Sequence, residues 1–231
     1  LAAVETLLPH LSNSNKSGEY YITDLIGLAV AEKYEVLGIQ CGRDDSLMGV
    51  NSPVELSRME ETLRARIVDE LLSSGVIVHA PGSVRVGPLA QIEPGAELTG
   101  PCEIYGHTSI SRGASVASHC VVRDCVISNN AEIRSFSHIE KARVGASALV
   151  GPFARLRPGA VLEEASHVGN FVELKKAHLG KGAKANHLTY LGDAEIGEGT
   201  NIGAGTITCN YDGKHKYQTK IGRYAFIGSN T

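Results

Sequence analysis

Val86-Gly-Pro-Leu-Ala-Gln-Ile92-Glu-Pro-Gly-Ala-Glu-Leu98-Thr-Gly-Pro-Cys-Glu-Ile104 opens the stretch whose reading decides the fold. Its aliphatic residues recur every six positions. The phase holds through Ile110, Val116 and Val122, takes one five-residue step, and resumes at Ile127, Ile133 and Ile139. After another such step come Val144, Val150, Leu156, Leu162, Val168 and Leu174. Later phases carry Leu179, Ala185 and Leu191, then Ile196 and Ile202, then Ile221 and Ile227. A helix needs apolar residues at 3.6 spacing and a half-buried strand needs them at 2. A period of six fits neither, but it fits a hexapeptide β-solenoid in which each hexad gives one short strand and one turn. Three hexads make one triangular coil. The aliphatic residue points inward, and the glycine that often follows it, as at Gly87, Gly145 and Gly203, lets the chain turn.

Outside this stretch the composition sets bounds. The chain has 231 residues, a formal net charge of −3 and no Trp. The charge gives no electrostatic footprint for nucleic acid or an anionic membrane, so neither is expected as a partner. The apolar runs are too short to span a bilayer. Position 1 is Leu rather than Met, which reads as an internal fragment. The cysteines Cys41, Cys102, Cys120, Cys125 and Cys209 are odd in number and lack metal-type pairing. They read as reduced thiols of a cytoplasmic protein.

Residues 1 to about 50 lack the sixfold period. Leu1 to Leu8 is a possible helix and Leu11 to Gly18 a polar loop. Thr23 and Asp24 offer N-caps to a helix expected over Leu25 to Tyr34. Glu35 to Gln40 reads as a buried strand, so residues 1–51 are expected to be the end of an α/β domain. Residues 52–75 form a linker helix. Ser52 is its N-cap, Pro53 its first residue, Glu55 its capping-box partner and Gly75 its stop. Leu56, Met59, Leu63, Ile67 and Leu71 give its apolar face. Residues 76–231 are the solenoid.

The hexads break once, between Ile207 and Ile221, where a Tyr211-Asp-Gly turn signal sits in a thirteen-residue insertion. A flat-sided prism has few clefts, and an extruded loop can wall one, so the insertion is a functional candidate. It can also be a plain surface loop. Triangular prisms pack well about a threefold axis, which makes a homotrimer the expected assembly.

The densest polar cluster is Asn186-His187-Leu-Thr-Tyr190, with Arg155, Arg157, Lys175 and Lys176 in the two coils before it. Lys175 lies 18 residues, one coil, beyond Arg157, so the two stack on one corner. Tyr190 lies near the same edge. Stacked Arg and Lys can hold a phosphate, and a nearby imidazole can act as a base. The competing reading is a solvated basic edge with a structural His. No His spacing suits a zinc site of stacked imidazoles.

Four runs then resemble one family. They are Gly151-Pro-Phe-Ala-Arg-Leu-Arg-Pro-Gly159, His167-Val-Gly-Asn-Phe-Val-Glu173, His187-Leu-Thr-Tyr-Leu-Gly-Asp-Ala-Glu195 and Asn201-Ile-Gly-Ala-Gly-Thr-Ile-Thr-Cys-Asn-Tyr-Asp-Gly213. Together with Gly18-Glu-Tyr-Tyr-Ile-Thr-Asp24 and Gly49-Val-Asn51, they resemble the bacterial bifunctional N-acetylglucosamine-1-phosphate uridyltransferases/glucosamine-1-phosphate acetyltransferases. The run from Asn201 to Gly213 is the most specific.

The resemblance implies a left-handed parallel β-helix, preceded by a linker helix and part of an α/β nucleotidyltransferase domain. It implies acetyl transfer from acetyl-CoA to the 2-amino group of glucosamine-1-phosphate. By position, His187 resembles the catalytic base. Arg157 and Lys175 resemble the phosphate ligands, and Tyr190 and Asn201 residues that hold the sugar. Ala204, Asn210, Tyr211 and Ser229 resemble acetyl-CoA contacts, and Lys216 lies where a neighbouring subunit reaches the site. Tyr21 and Thr23 resemble sugar contacts of the uridyltransferase site, which makes UDP-N-acetylglucosamine from UTP. Asn51 resembles a ligand of its Mg²⁺ and nucleotide sugar. A neutral amine must attack the thioester, which suits a His base. A backbone N–H from Gly203 to Gly205 is expected to receive the developing oxyanion, and Cys209 needs no covalent role.

Three departures stand out. The family's glycine-rich nucleotide loop is missing, so no uridyl transfer is expected of this chain alone. Its last coils and C-terminal arm are missing too, and Asn186 stands where many relatives have Gly. Two other classes compete: another hexapeptide acyltransferase, against which Asn210-Tyr-Asp-Gly213 argues, and a non-catalytic trimerisation stalk.

Overall fold

The computed structural model describes residues 2–40 and 49–231, so Cys41 lies outside the described residues. The chain divides into two compact units, Leu1–Gly49 and Val50–Thr231.

In the first unit a helix spans Ala2–Leu7, a 3-10 turn Leu8–His10 and a second helix Asp24–Ala31. The second helix is shorter than expected. Lys33 takes a left-handed φ of +60°, which a right-handed helix cannot continue through. Thr23 holds the N-cap position, but its side chain makes no capping hydrogen bond. The strand expected over Glu35–Gln40 does not form, and Leu37 is exposed. No strand is found among the described residues of this unit. They supply helices of the expected α/β unit but not its sheet.

The second unit opens with the helix Pro53–Ser74. Ser52 Oγ accepts the Glu55 N–H at 3.2 Å, and Gly75 ends the helix at φ +96°. Glu55 reaches back to the N–H of Asn51, at 2.7 Å, rather than to that of Ser52. Only the C-terminal turns of its apolar face are covered. Val68 is buried and Ile67 and Leu71 pack on the core, whereas Leu56 and Leu63 stay exposed. Arg64 adds a polar tie, donating to Pro81 O at 2.8 Å.

The rest is a parallel β-solenoid, as the period of six predicts. Strands of successive coils pair in parallel on three faces. Leu98 registers with Val116 on the first, Ile104 with Val122 on the second and Ile110 with Ile127 on the third. The third-face step is 17 residues because one five-residue hexad falls inside it. Nearly every phase aliphatic is buried, from Val86 and Leu98 to Ile196 and Ile202. Ile92, Ile221 and Ile227 are only partly covered.

A second buried position was not read from the period. Two residues before each aliphatic sits a small side chain, such as Ala96, Thr108, Ala114, Ala131, Ser137 or Ser166, and these too are buried. Its hydroxyl variants donate to the carbonyl three residues back: Thr108 to Tyr105 at 2.6 Å, Ser137 to Arg134 at 2.7 Å. Cys102, Cys120 and Cys125 occupy this same position. Burial drives the Cys102 thiol up to about 12 and Cys120 up to about 11, so both stay protonated and unreactive. Ile139, fully buried between Val122 and Leu156, is a clean probe of this core. Ile139→Ala should lower the unfolding free energy by about 2–5 kcal/mol, measured by urea denaturation.

The corners carry non-glycine residues in the left-handed region. One corner column reads His119, Phe136, Phe153, Phe171 and Leu188, all with φ between 48° and 63°. The four rings stack, with centroids 4.7, 4.8 and 5.3 Å apart. Phe136, Phe153, Phe171 and Leu188 are exposed, so an apolar stripe runs up this edge.

Candidate functional site

The two nine-residue strands His167–Lys175 and Lys184–Gly192 pair over most of their length and wrap the corner at Phe171 and Leu188. That wrap sorts the expected site residues into two groups, one on each flank of the corner.

The first flank carries His187. It registers with Asn170 below. Ala185 registers with Ile202, and Ile202 with Ile227. Two residues further on, the same column therefore holds His187, Ala204 and Ser229. Asn201 lies on this face too, paired with Lys184. His187 is exposed, and its imidazole makes no hydrogen bond among the described residues. The nearby His167 is half-buried, and its pKa is lowered by desolvation first and by Arg134 and Lys184 next.

The backbone of this column narrows one expectation. The N–H groups of Gly203 and Gly205 are both engaged, with Ile227 O at 2.9 Å and Leu188 O at 3.0 Å. Neither is free for an oxyanion. Ala204 N–H, between them, has no hydrogen-bond partner among the described residues. Gly203 serves a different purpose: a Cβ there would stand 2.6 Å from the backbone carbon of Gly228. Asn186, one residue before His187, buries its Oδ1 without a hydrogen-bond partner.

The second flank carries the cations. Leu156 registers with Leu174, which sets Arg157 and Lys175 one coil apart at the same corner, as the 18-residue spacing predicts. The Arg157 guanidinium is held by Glu173 at 2.8 Å, which raises its pKa further and directs the fork along this face. Glu173 registers with Tyr190. The Tyr190 ring folds over Gly192, where any side chain would collide with its hydroxyl, and Gly192 registers with Lys175. Arg157, Glu173, Lys175 and Tyr190 thus form one patch. His187 is not in it; it stands on the other side of the same corner, one residue before Leu188.

The insertion leaves the solenoid beside this patch. Thr208 is buried and binds the strand edge, its N–H to Tyr190 O at 3.1 Å and its hydroxyl accepting Gly192 N–H at 2.7 Å. Asn210 is buried and donates from Nδ2 to Asp193 Oδ2 at 2.5 Å. Tyr217 N–H returns to Asn210 O at 2.9 Å, closing the neck of a small hairpin that pairs Tyr211 with Lys216. Tyr211 and Lys216 are exposed. Asp212 organises the tip. Its carboxylate accepts the N–H of His215 at 2.6 Å, that of Lys214 at 2.8 Å and the Tyr217 hydroxyl at 2.9 Å.

Those bonds push the Asp212 pKa down to about 2 from 3.8, the backbone N–H of His215 contributing most. A depressed carboxylate contributes stability above its unfolded pKa and loses it as pH falls through the folded one. The hairpin should therefore hold down to about pH 4 and loosen towards pH 2. A carboxyl-carbon NMR titration of Asp212 checks this, with a midpoint expected clearly below that of a free aspartate.

The remaining expected residues lie elsewhere. Tyr21 and Thr23 belong to the first unit, where the Tyr21 hydroxyl bonds Ser17 Oγ at 2.6 Å. Asn51 precedes the helix of the second. It offers a single carboxamide oxygen, and no group of three or more His, Cys, Asp or Glu gathers as a metal site among the described residues. The described residues do not by themselves make a Mg²⁺ site. None of their helices is long and apolar enough to cross a membrane.

Comparison with known proteins agrees with the geometry. The chain is 63% identical over 229 residues, 99% of its length, to the bifunctional protein GlmU of Nitratidesulfovibrio vulgaris strain Miyazaki F. It is 59% identical to that of Oleidesulfovibrio alaskensis and 52% to that of Lawsonia intracellularis, each over its whole length.

The chain is similar to GlmU proteins along its whole length.

It spans about half the length of these curated relatives, 50% in each of the three. Residues 82–179 also match the model of the GMPPB C-terminal domain. Among solved structures, LpxA from Acinetobacter baumannii is 18% identical, with a TM-score of 0.47 over 67% of this chain and 66% of that one. Two features escaped the sequence reading: the bond of Glu173 to Arg157 and that of Asp193 to Asn210. These bonds span 16 and 17 residues, intervals that can be read only once the places of the five-residue hexads are known.

Proposed function

We propose that this chain carries the acetyltransferase site of a GlmU protein, moving the acetyl group of acetyl-CoA to the 2-amino group of glucosamine-1-phosphate. In the longer protein the same enzyme makes UDP-N-acetylglucosamine from UTP and N-acetylglucosamine-1-phosphate with Mg²⁺, a cytoplasmic step in supplying cell-envelope precursors. The observation that carries the reading is the division of labour around one corner. An imidazole and a backbone N–H that have no hydrogen-bond partner among the described residues lie on one flank. A cation pair with a phenol and an extruded hairpin lie on the other.

Each group has a role that its chemistry suits. Arg157 and Lys175 hold the sugar phosphate, the guanidinium fork contributing direction and the ammonium a point charge. Tyr190 and Asn201 hold the sugar. His187 takes a proton from the 2-ammonium group, and the freed amine attacks the thioester carbonyl. The carbonyl oxygen gains negative charge, and Ala204 N–H donates to it. After attack the nitrogen sheds its second proton, collapse of the tetrahedral intermediate expels the CoA thiolate, and that proton ends on the thiolate, so no enzyme thiol is needed. Asn210, Tyr211 and Ser229 contact acetyl-CoA. We further infer a homotrimer of left-handed β-helices in which the exposed Phe136–Phe153–Phe171–Leu188 stripe is a packing edge. In it Lys216 on its hairpin reaches towards a neighbouring subunit.

The reading is tested by mixing the protein with acetyl-CoA and glucosamine-1-phosphate and following free thiol with DTNB. Thiol release that depends on the sugar is expected. A stalk would release none, and a serine or lipid-precursor acyltransferase would respond to those acceptors instead.

A further inference from the structure

Asp193 has three bonds, and they converge on the insertion. It occupies a corner in the left-handed region, with φ +46°. Its N–H donates to Lys175 O at 2.9 Å, which ties it to the coil of the cation patch. Its carbonyl accepts the N–H of Thr219, at the far end of the insertion, at 3.0 Å. Its carboxylate accepts from Asn210 Nδ2, at the near end, at 2.5 Å. One residue thus fastens both ends of the hairpin to the coil that presents Lys175.

The bond to Asn210 also decides a chemical polarity. A carboxamide has a donor end and an acceptor end of nearly the same shape. A carboxylate offers acceptors only, so the flipped amide would set two oxygens against each other. Asn210 must therefore turn its NH₂ to Asp193 and leave Oδ1 on the other side. No group among the described residues bonds that oxygen.

We propose that Asp193 is a positioning residue for acyl-donor binding. It fixes the Asn210 carboxamide so that Oδ1 accepts an N–H from the amide-bearing arm of the acyl carrier. The inference rests on the reading of Asn210 as an acetyl-CoA contact. Asp193 does not touch the reacting atoms; it acts through Asn210.

Asp193→Asn tests this, because it keeps shape and a hydrogen bond while allowing the Asn210 amide to pair either way round. The KM for acetyl-CoA should rise about tenfold, the scale of one hydrogen bond to a charged group. The value of kcat should stay within about threefold of the wild type, and the KM for the sugar should not move. In an Asn210→Ala background the same substitution should add nothing further, since positions acting through one another are non-additive. An unchanged acetyl-CoA KM, or an effect that survives in that background, overturns the proposal. A second readout is independent of turnover. In the ¹⁵N-labelled protein the Asn210 side-chain amide should show one N–H proton shifted downfield and slow to exchange, and Asp193→Asn should abolish that signature. If the wild type transfers no acetyl group, the functional reading fails on its own. The amide spectrum then decides the orientation: no such signature, or one that persists in Asp193→Asn, sinks it.

Discussion

His187→Ala should lower kcat by about 10²–10⁴-fold, the usual contribution of a positioned general base, while both KM values and the oligomeric state stay close to wild type. The structural grounds are specific. The imidazole is exposed and makes no hydrogen bond among the described residues, so truncation removes no described hydrogen bond. It shares a column with Ala204 and Ser229, which brings it next to the N–H expected to receive the oxyanion. A purely structural His would give another pattern: a lower melting temperature or a broken assembly, with activity falling in proportion to folded protein. If the variant folds, assembles and retains kcat within about threefold, another group is the base, and Tyr190 is the next to test.

Arg157→Ala should raise the KM for glucosamine-1-phosphate by roughly 10–150-fold, because hydrogen bonds to charged groups are worth about 1.5–3 kcal/mol. Two effects add. The guanidinium contact to phosphate is lost, and Glu173, which Arg157 holds at 2.8 Å, is left facing the phosphate with its negative charge uncompensated. Arg157→Lys should fall in between, since it keeps the charge but not the fork. Rising salt should weaken sugar binding in the wild type more than in Arg157→Ala, as screening predicts. An unchanged KM would remove Arg157 from the phosphate site.

What was legible in the sequence divides along the direction in which side chains point. Inward residues obey the hexad period because each short strand turns one large aliphatic position into the prism at the same phase. Ile104, Ile139 and Leu174 could thus be placed without coordinates, and they are fully buried. The helix Pro53–Ser74 was legible because its caps are local chemistry at Ser52 and Gly75. The pairing of Arg157 with Lys175 followed from one coil of spacing. Outward side chains lean across coils and escape this arithmetic. Arg157 bonds Glu173, sixteen residues on, and Asn210 bonds Asp193, seventeen residues back. Neither interval is the nominal coil.

The run expected to hold the oxyanion donor could be narrowed to one N–H only with coordinates. Glycine content marked the run Gly203 to Gly205, but hydrogen-bond accounting excludes both glycines and leaves Ala204. Glu35–Gln40 has strand composition but no strand geometry, because composition alone does not fix the backbone pairing that a strand requires. The position of His187 across the corner from the cations depends on where the chain bends at Leu188, φ +48°, a non-glycine residue with no local signal for that conformation.

The most direct measurement is product identity. The protein is incubated with acetyl-CoA labelled with ¹³C in the acetyl group and with glucosamine-1-phosphate, and the ¹³C spectrum is followed over time. The account predicts loss of the thioester acetyl signal and growth of an N-acetyl amide signal on the sugar phosphate, faster with wild type than with His187→Ala. A folded protein that leaves the thioester untouched, or that releases free acetate with no acetylated sugar, would contradict it.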